Sequence, residues 1–321
     1  MNWISVFAPA TIGNIGPGFD VLGMAVRGIG DIVDARRIPR GVKINAISPP
    51  RIKLPRDPAK NTAGIAAVHV LELLGWPGGV ELKVKKGIPS GSGLGSSAAS
   101  AAAAAFAVNR LYGSRLTTKQ LIVPATRAEA VVSGGFFADN TAPALLGGVT
   151  LTRCCEPLDI VEIGTIKKLI LILVTPRISI LTRHARKLLP TKVPLRDFIS
   201  NMANAALITA AFAKDDYALF SRSLHDVIIE PVRAKLIKGF DRVKQSALAA
   251  GADGMTISGS GPTVFAITDN PHKAEAIRDH MTMAFSAAGV ATHSCVTSMD
   301  PRGARVISSH DVRTRCFSIV R

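Results

Sequence analysis

The spacing of hydrophobic and polar positions changes several times along the chain, and each change predicts an element. Residues 33–38 and 42–47 alternate and are rich in β-branched side chains, with Pro39-Arg40-Gly41 between them. Two strands separated by a break are expected there. Ile65, Val68, Leu71 and Leu74 follow at helical spacing, closed by Gly75 and Pro77, which predicts a helix over 61–74. Val80, Leu82 and Val84 then fall on one face of a strand. A Gly/Ser-rich loop leads into an Ala-rich helix from about residue 96 to 111. A second helix over about 117–132 carries Glu129 near its end. Beyond Gly134-Gly135 and Gly147-Gly148 the pattern shifts. Residues 168–174 read as a fully buried strand, 181–250 as mainly helical, 256–268 as strand, glycine turn and strand, and 271–288 as a helix. The shift predicts a boundary near residue 155, with one domain over 1–155 and a second over 156–321. Two domains suit 321 residues at roughly 100–200 residues per domain.

Composition supports a packed core, since 47% of the chain is apolar and 19% charged. The longest aliphatic run, Leu169 to Val174, has six residues, far below the roughly 20 that span a bilayer. The first ten residues are nearly uncharged and broken by Pro9, unlike a cationic leader. A cytoplasmic protein without membrane partners is expected. The cysteines, Cys154, Cys155, Cys295 and Cys316, have no metal-ligand spacing, and the seven histidines are scattered. The net charge of +16 admits nucleic-acid binding, or a basic surface around a site for anionic metabolites. Aromatic residues make up only 5% of the chain, so stacking platforms for bases are scarce. The metabolite reading is favoured.

The strongest local signal is Pro89-Ser90-Gly91-Ser92-Gly93-Leu94-Gly95-Ser96-Ser97, which enters the Ala-rich helix. Alternating glycines let backbone approach a ligand closely. The helix start beyond them offers unpaired N–H groups and the positive end of a dipole. Together they make a phosphate cradle. No Gly-Lys-Ser/Thr follows, and the third glycine spacing of a dinucleotide fingerprint is missing. The plainer reading is a flexible turn capped by Ser96 or Ser97. A serine hydroxyl beside phosphates can also serve Mg²⁺ with a carboxylate partner, for which Glu129 is the candidate. Two more blocks resemble sites. Ala8-Pro9-Ala10-Thr11-Ile12-Gly13-Asn14-Ile15-Gly16-Pro17-Gly18-Phe19-Asp20 gathers glycines and prolines around one Asn and one Asp, and Ser258-Gly259-Ser260-Gly261-Pro262 lies between apolar segments. Taken singly, these read as an Asx-type turn and a hairpin connection.

Three Gly-rich blocks in this order resemble the GHMP kinase superfamily over nearly the whole chain. Residues Ala8 to Gly23 are similar to the homoserine kinase version of the first block. Ala138-Asp139-Asn140, Gly147-Gly148, Ile229-Glu230-Pro231-Val232-Arg233 and the stretch from Thr256 to Pro262 also resemble that family. The resemblance implies an α+β fold of two domains with the active site in the cleft between them, and a homodimer. It implies transfer of the ATP γ-phosphate to the hydroxyl of L-homoserine, with Mg²⁺, in threonine biosynthesis, and no nucleic-acid partner. By it, residues Pro89 to Ser97 wrap the phosphates, Asn61 lies near the nucleoside, and Ser97 and Glu129 hold Mg²⁺. Asn14 and Asp20 receive the substrate ammonium, and Arg186 and Arg233 clamp its carboxylate. Asp139 orients the hydroxyl or acts as its base, with Thr182 close by and Gly259 in the second glycine loop. One departure stands out. Phe136-Phe137 precedes Ala138-Asp139-Asn140 where homoserine kinases often carry a basic residue and a histidine. The alternatives are a GHMP-type kinase for another small hydroxy acid such as shikimate, or a catalytically inactive basic binding protein.

Overall fold

In the computed structural model, residues 3–50, 53–308 and 318–319 are described. The first sheet is built from β1 (Ile4–Gly13), β2 (Leu22–Ile38), β3 (Val42–Ser48), β4 (Gly79–Lys85), β5 (Val149–Cys155) and β6 (Leu158–Gly164). Their alternation gives each strand one face for the core, as in Val80, Leu82 and Val84, all buried. The 33–38 segment is the far half of the long β2, which bends at a register shift between Pro9 and Ala10 of β1. β3 does not fold back on β2. It pairs in parallel with β4, through Ile44–Leu82 and Val42–Val80, because α1 (Thr62–Leu73) carries the chain across between them.

Four helices cover this sheet: α1, α2 (Ser96–Leu111), α3 (Ile122–Ser133) and α4 (Thr141–Leu146). The Ala-rich helix is α2, and its alanines from 101 to 105 are fully buried. It packs against α1, α3 and the sheet at once, and only a side chain as small as Ala permits such close approach on every side. The helix expected over 117–132 begins instead as a single 3₁₀ turn at Lys119–Leu121, and its α-helical part starts at Ile122. Pro124 lies in the first turn, where its missing N–H interrupts nothing.

The second unit is a sheet of β7 (Ile170–Pro176), β8 (Gly254–Ile257), β9 (Val264–Thr268) and β10 (Thr292–Thr297), with β12 (Ser318–Ile319) at its edge; β11 (Arg305–Ile307) precedes β12 in the chain. β7 is buried on both faces, as its unbroken apolar run predicts. Leu171 and Leu173 join the core shared with the first unit, whereas Ile172 and Val174 meet the layer on the other side. The helices are α5 (Thr182–Lys187), α6 (Leu195–Lys214), α7 (Tyr217–Ser223), α8 (Glu230–Arg233), α9 (Phe240–Ala249) and α10 (Pro271–Ala287).

A division at residue 155 passes through the β5–β6 hairpin, which belongs wholly to the first sheet. The chain also returns at its end, since β11 pairs with β1. The first unit is therefore discontinuous, made of residues up to Gly164 together with Arg305–Ile307. A β-hairpin and a returning edge strand leave no mark in local composition. Cys316 lies outside the described residues.

Candidate active site

A cavity of about 300 Å³ lies between the two units. Every residue given a catalytic or binding role from the sequence lines it except Pro89 and Leu94. Leu94 is wholly buried in the core, and its carbonyl accepts from the Thr11 amide at 3.1 Å.

β1 ends at Gly13 and delivers the first block into the cavity. A Cβ on Gly13 would lie 2.5 Å from Asp139 Oδ2, so only glycine lets that carboxylate sit against the strand end. Asn14, Ile15 and Asp20 then take φ values of 72°, 48° and 60°, a backbone region that non-glycine residues rarely enter. The Asn14 side chain holds the turn, its Oδ1 accepting from the Asp20 amide and its Nδ2 donating to Gly259 O, each at 3.1 Å. The block is thus a turn between strands and a wall of the cavity at once.

The central glycine loop runs through Gly91, Gly93 and Gly95 with φ of 67°, 80° and 63°. Gly95 precedes α2, and no side chain caps that helix. The serines that could have done so are engaged elsewhere. Ser96 Oγ donates to Ile88 O at 3.0 Å, and Ser97 Oγ donates to Glu129 Oε1 at 3.5 Å. Among the described residues no side chain accepts from the first N–H groups of this 16-residue helix, whose opening residues Ser96 and Ser97 line the cavity. The third block packs directly on this loop. Ser258 Oγ donates to Gly93 O at 2.7 Å, the Thr263 amide to Ser92 O at 3.0 Å, and the Gly259 amide to Gly13 O at 3.1 Å. Three blocks far apart in sequence thus form one wall.

Charge is concentrated on and beside that wall. Arg186 on α5 donates from Nη1 to Asp20 Oδ2 at 2.7 Å and from Nη2 to Asp20 Oδ1 at 2.8 Å. The two residues expected to meet opposite ends of a substrate thus pair with each other here. Arg186 also lies over the Phe137 ring, 4.5 Å from its centroid, and 5.3 Å from that of Phe19. Arg233 on α8 is 3% exposed and donates to Gly259 O at 2.7 Å. The Nε atoms of both arginines are buried without a partner among the described residues. Burial, with the nearby Arg186 charge as a smaller contribution, holds Arg233 down to about 10, while Asp20 pulls the other way. An anionic group would meet unsatisfied donors here. Thr182 Oγ1 lies 3.2 Å from Ser260 Oγ.

Asp139 is 6% exposed and accepts from Asn140 Nδ2 at 3.0 Å. Burial first, and then the Asp20 charge, push its carboxyl up to about 7, with Arg186 and Arg233 opposing. Glu129 is pushed up to about 8, again by burial first and by Asp139 second. Two carboxyls that resist ionisation beside a cavity fit a site that receives a cation or a proton. Among the described residues no cluster of three acidic, His or Cys side chains forms a complete metal site. The oxygen pair of Ser97 and Glu129 suits a hard cation that takes its remaining ligands from phosphate and water.

Sequence reasoning missed Lys86, which lines the cavity although its side chain is only 2% exposed. The signal was its phase, because Lys86 continues the inward series of Val80, Leu82 and Val84.

Models of the GHMP kinases N terminal domain and of the GHMP kinases C terminal domain match residues 61–148 and 208–287. The chain is 44% identical to a homoserine kinase of Arabidopsis thaliana, over 95% of this chain and 85% of that one. It is 42% identical to one of Chlorobaculum tepidum, over 96% and 99%. The crystal structure of a homoserine kinase from Cytophaga hutchinsonii superposes with a TM-score of 0.91 at 40% identity, over 96% and 98% of the two chains. A mevalonate kinase shares the fold at 14% identity, with a TM-score of 0.66. The chain belongs to the GHMP kinases and, within that superfamily of small-molecule phosphotransferases, to the homoserine kinase family.

Proposed function

We propose that this protein transfers the γ-phosphate of ATP to the hydroxyl of L-homoserine, giving O-phospho-L-homoserine and ADP. The observation that carries the reading is that the charged set of Asp20, Arg186 and Arg233, with Asp139, lines the same cavity as an uncapped helix start. The glycine loop and the α2 N–H groups take the phosphates, and Asn61 lies at the nucleoside end. Ser97 and Glu129 would hold Mg²⁺, which supplies neutralising charge to the phosphate oxygens when bound. The α-ammonium of the amino acid takes Asp20 and Asn14, and its carboxylate takes the guanidinium groups of Arg186 and Arg233. Thr182 and Gly259 close that end of the pocket.

Phosphoryl transfer depends on alignment and charge neutralisation more than on a strong base. Asp139 accepts the hydrogen bond of the substrate hydroxyl and fixes its oxygen for in-line attack, and a carboxyl near 7 is also matched to take that proton. Asp139→Asn is expected to lower kcat at least 100-fold while the Kd for ATP moves less than threefold. Equal losses in both would remove Asp139 from this role. The substrate is tested by ADP release with homoserine or shikimate as acceptor. Shikimate has a carboxylate for the arginines but no ammonium for Asp20, so faster turnover with shikimate would overturn the reading. A homodimer and a cytoplasmic location belong to the same proposal, the first checked by light scattering. No described helix is long and apolar enough to cross a membrane.

A further inference from the structure

Behind the glycine loop lies a buried ionic cluster that the phosphotransfer reading does not use. Asp31 on β2 is fully buried. Its Oδ1 accepts from the Gly87 and Ile88 amides at 3.0 and 3.2 Å, at the entry to the loop. Its Oδ2 accepts from Lys86 Nζ and, at 2.7 Å, from Ser100 Oγ in the second turn of α2. Lys86 Nζ donates in addition to Ser96 O and Ser100 Oγ, each at 2.8 Å. One carboxylate therefore touches the loop where it begins and, through Lys86 and Ser100, the helix where the loop ends.

An ammonium has three N–H donors, and here all three are committed to Asp31, Ser96 and Ser100. Lys86 lines the cavity but has no donor left for a phosphate oxygen. A buried pair of this kind contributes little net stability compared with apolar packing, yet removing one partner leaves an uncompensated charge. Its worth lies in geometry. The segment between Gly87 and Gly95 contains glycines at 91, 93 and 95, all at positive φ, and such backbone orders itself only at a large entropic cost. Fixing both ends on one carboxylate shortens the set of conformations left to it.

We propose that Asp31, Lys86 and Ser100 form a clasp that presets the glycine loop for the nucleotide phosphates, making them positioning residues for ATP and not phosphate ligands. The inference rests on the ATP-dependent reading above. Three variants test it in the full chain: Ser100→Ala, Lys86→Met, and Asp31→Asn combined with Lys86→Met. Kinetics with ATP and homoserine varied separately are compared with melting temperature and with amide hydrogen exchange over residues 87–96. Ser100→Ala is expected to raise KM for ATP about fivefold, leave KM for homoserine within twofold, and speed exchange in the loop. Lys86→Met alone lowers the melting temperature by stranding Asp31. The double variant recovers much of that loss but keeps KM for ATP about tenfold high, because Ser96 O remains untied.

A double variant with wild-type KM for ATP would overturn the clasp. So would a Ser100→Ala protein that folds but raises both KM values equally, or one with unchanged exchange in the loop. Exchange is read without substrate, so a wild-type protein that turns over no ATP refutes the phosphotransfer reading while the clasp is still judged on loop protection.

Discussion

Replacing Phe137 by Leu keeps an apolar side chain beside Asp139 but removes the ring beneath Arg186. The Arg186 guanidinium carbon lies 4.5 Å from the centre of that ring, and the arginine side chain is about a quarter exposed, at 26%. A partly desolvated cation over an aromatic face gains about 1 kcal/mol, and Phe19, at 5.3 Å, remains as a weaker partner. Losing about 1 kcal/mol of positioning in the group that receives the substrate carboxylate corresponds to about a fivefold rise in KM for homoserine. The ring supports Arg186, which the proposal assigns to the amino acid and not to the nucleotide, so KM for ATP should stay within twofold. Coupled ADP-release kinetics with each substrate varied against saturating partner would separate the two. Phe137→Tyr keeps the ring and should restore the KM. An unchanged KM for homoserine in the Leu variant would refute the reasoning, as would an equal rise for both substrates or a failure of Tyr to rescue. On this account the departure at Phe136-Phe137 exchanges a polar contact near the hydroxyl for an aromatic support under the carboxylate clamp.

Arg186→Lys keeps the charge but loses the planar fork that meets both Asp20 oxygens, and should raise KM for homoserine at least about tenfold in the same assay. Gly95→Ala places a Cβ 2.0 Å from Thr11 Oγ1 at a φ of 63°, so calorimetry should show ATP binding weakened by at least about tenfold. Stability should also depend on pH in a set direction. Glu129 and Asp139 are raised from ordinary values of 4.5 and 3.8 to about 8 and about 7. Between those limits the folded chain holds more protons than the unfolded one, and stability falls as pH rises through the window. The melting temperature of the metal-free protein should drop from pH 5 to pH 8, and Glu129→Gln should flatten that slope.

Local chemistry made much of the molecule legible. Residues 96–111 read as a helix because Ala favours that conformation and Gly95 marks its start, and β8–β9 read as a pair because glycines punctuate an apolar run. The members of the cavity wall were legible for a related reason, since backbone that must approach a ligand or another loop needs glycine. Pairing partners were not. The alternation of 42–47 fits a neighbour on either side in either direction, and only the crossover through α1 makes β3 parallel to β4. The Asp20–Arg186 pair and the Phe137 stack join residues from separate halves of the chain, and no spacing rule reaches that far. Lys86 gave no decisive signal because a lysine in an inward phase looks like a strand end turning to solvent until Asp31 is seen facing it.

The return of Arg305–Ile307 to the edge of β1 has a consequence for how the protein is made. The Ser5, Val6 and Phe7 backbone is synthesised some 300 residues before the strand that covers it. Through most of translation the edge beside β1 stands open to any passing strand. The first unit cannot complete its sheet until the second has been built, so birth order and folding order run in opposite directions at this edge.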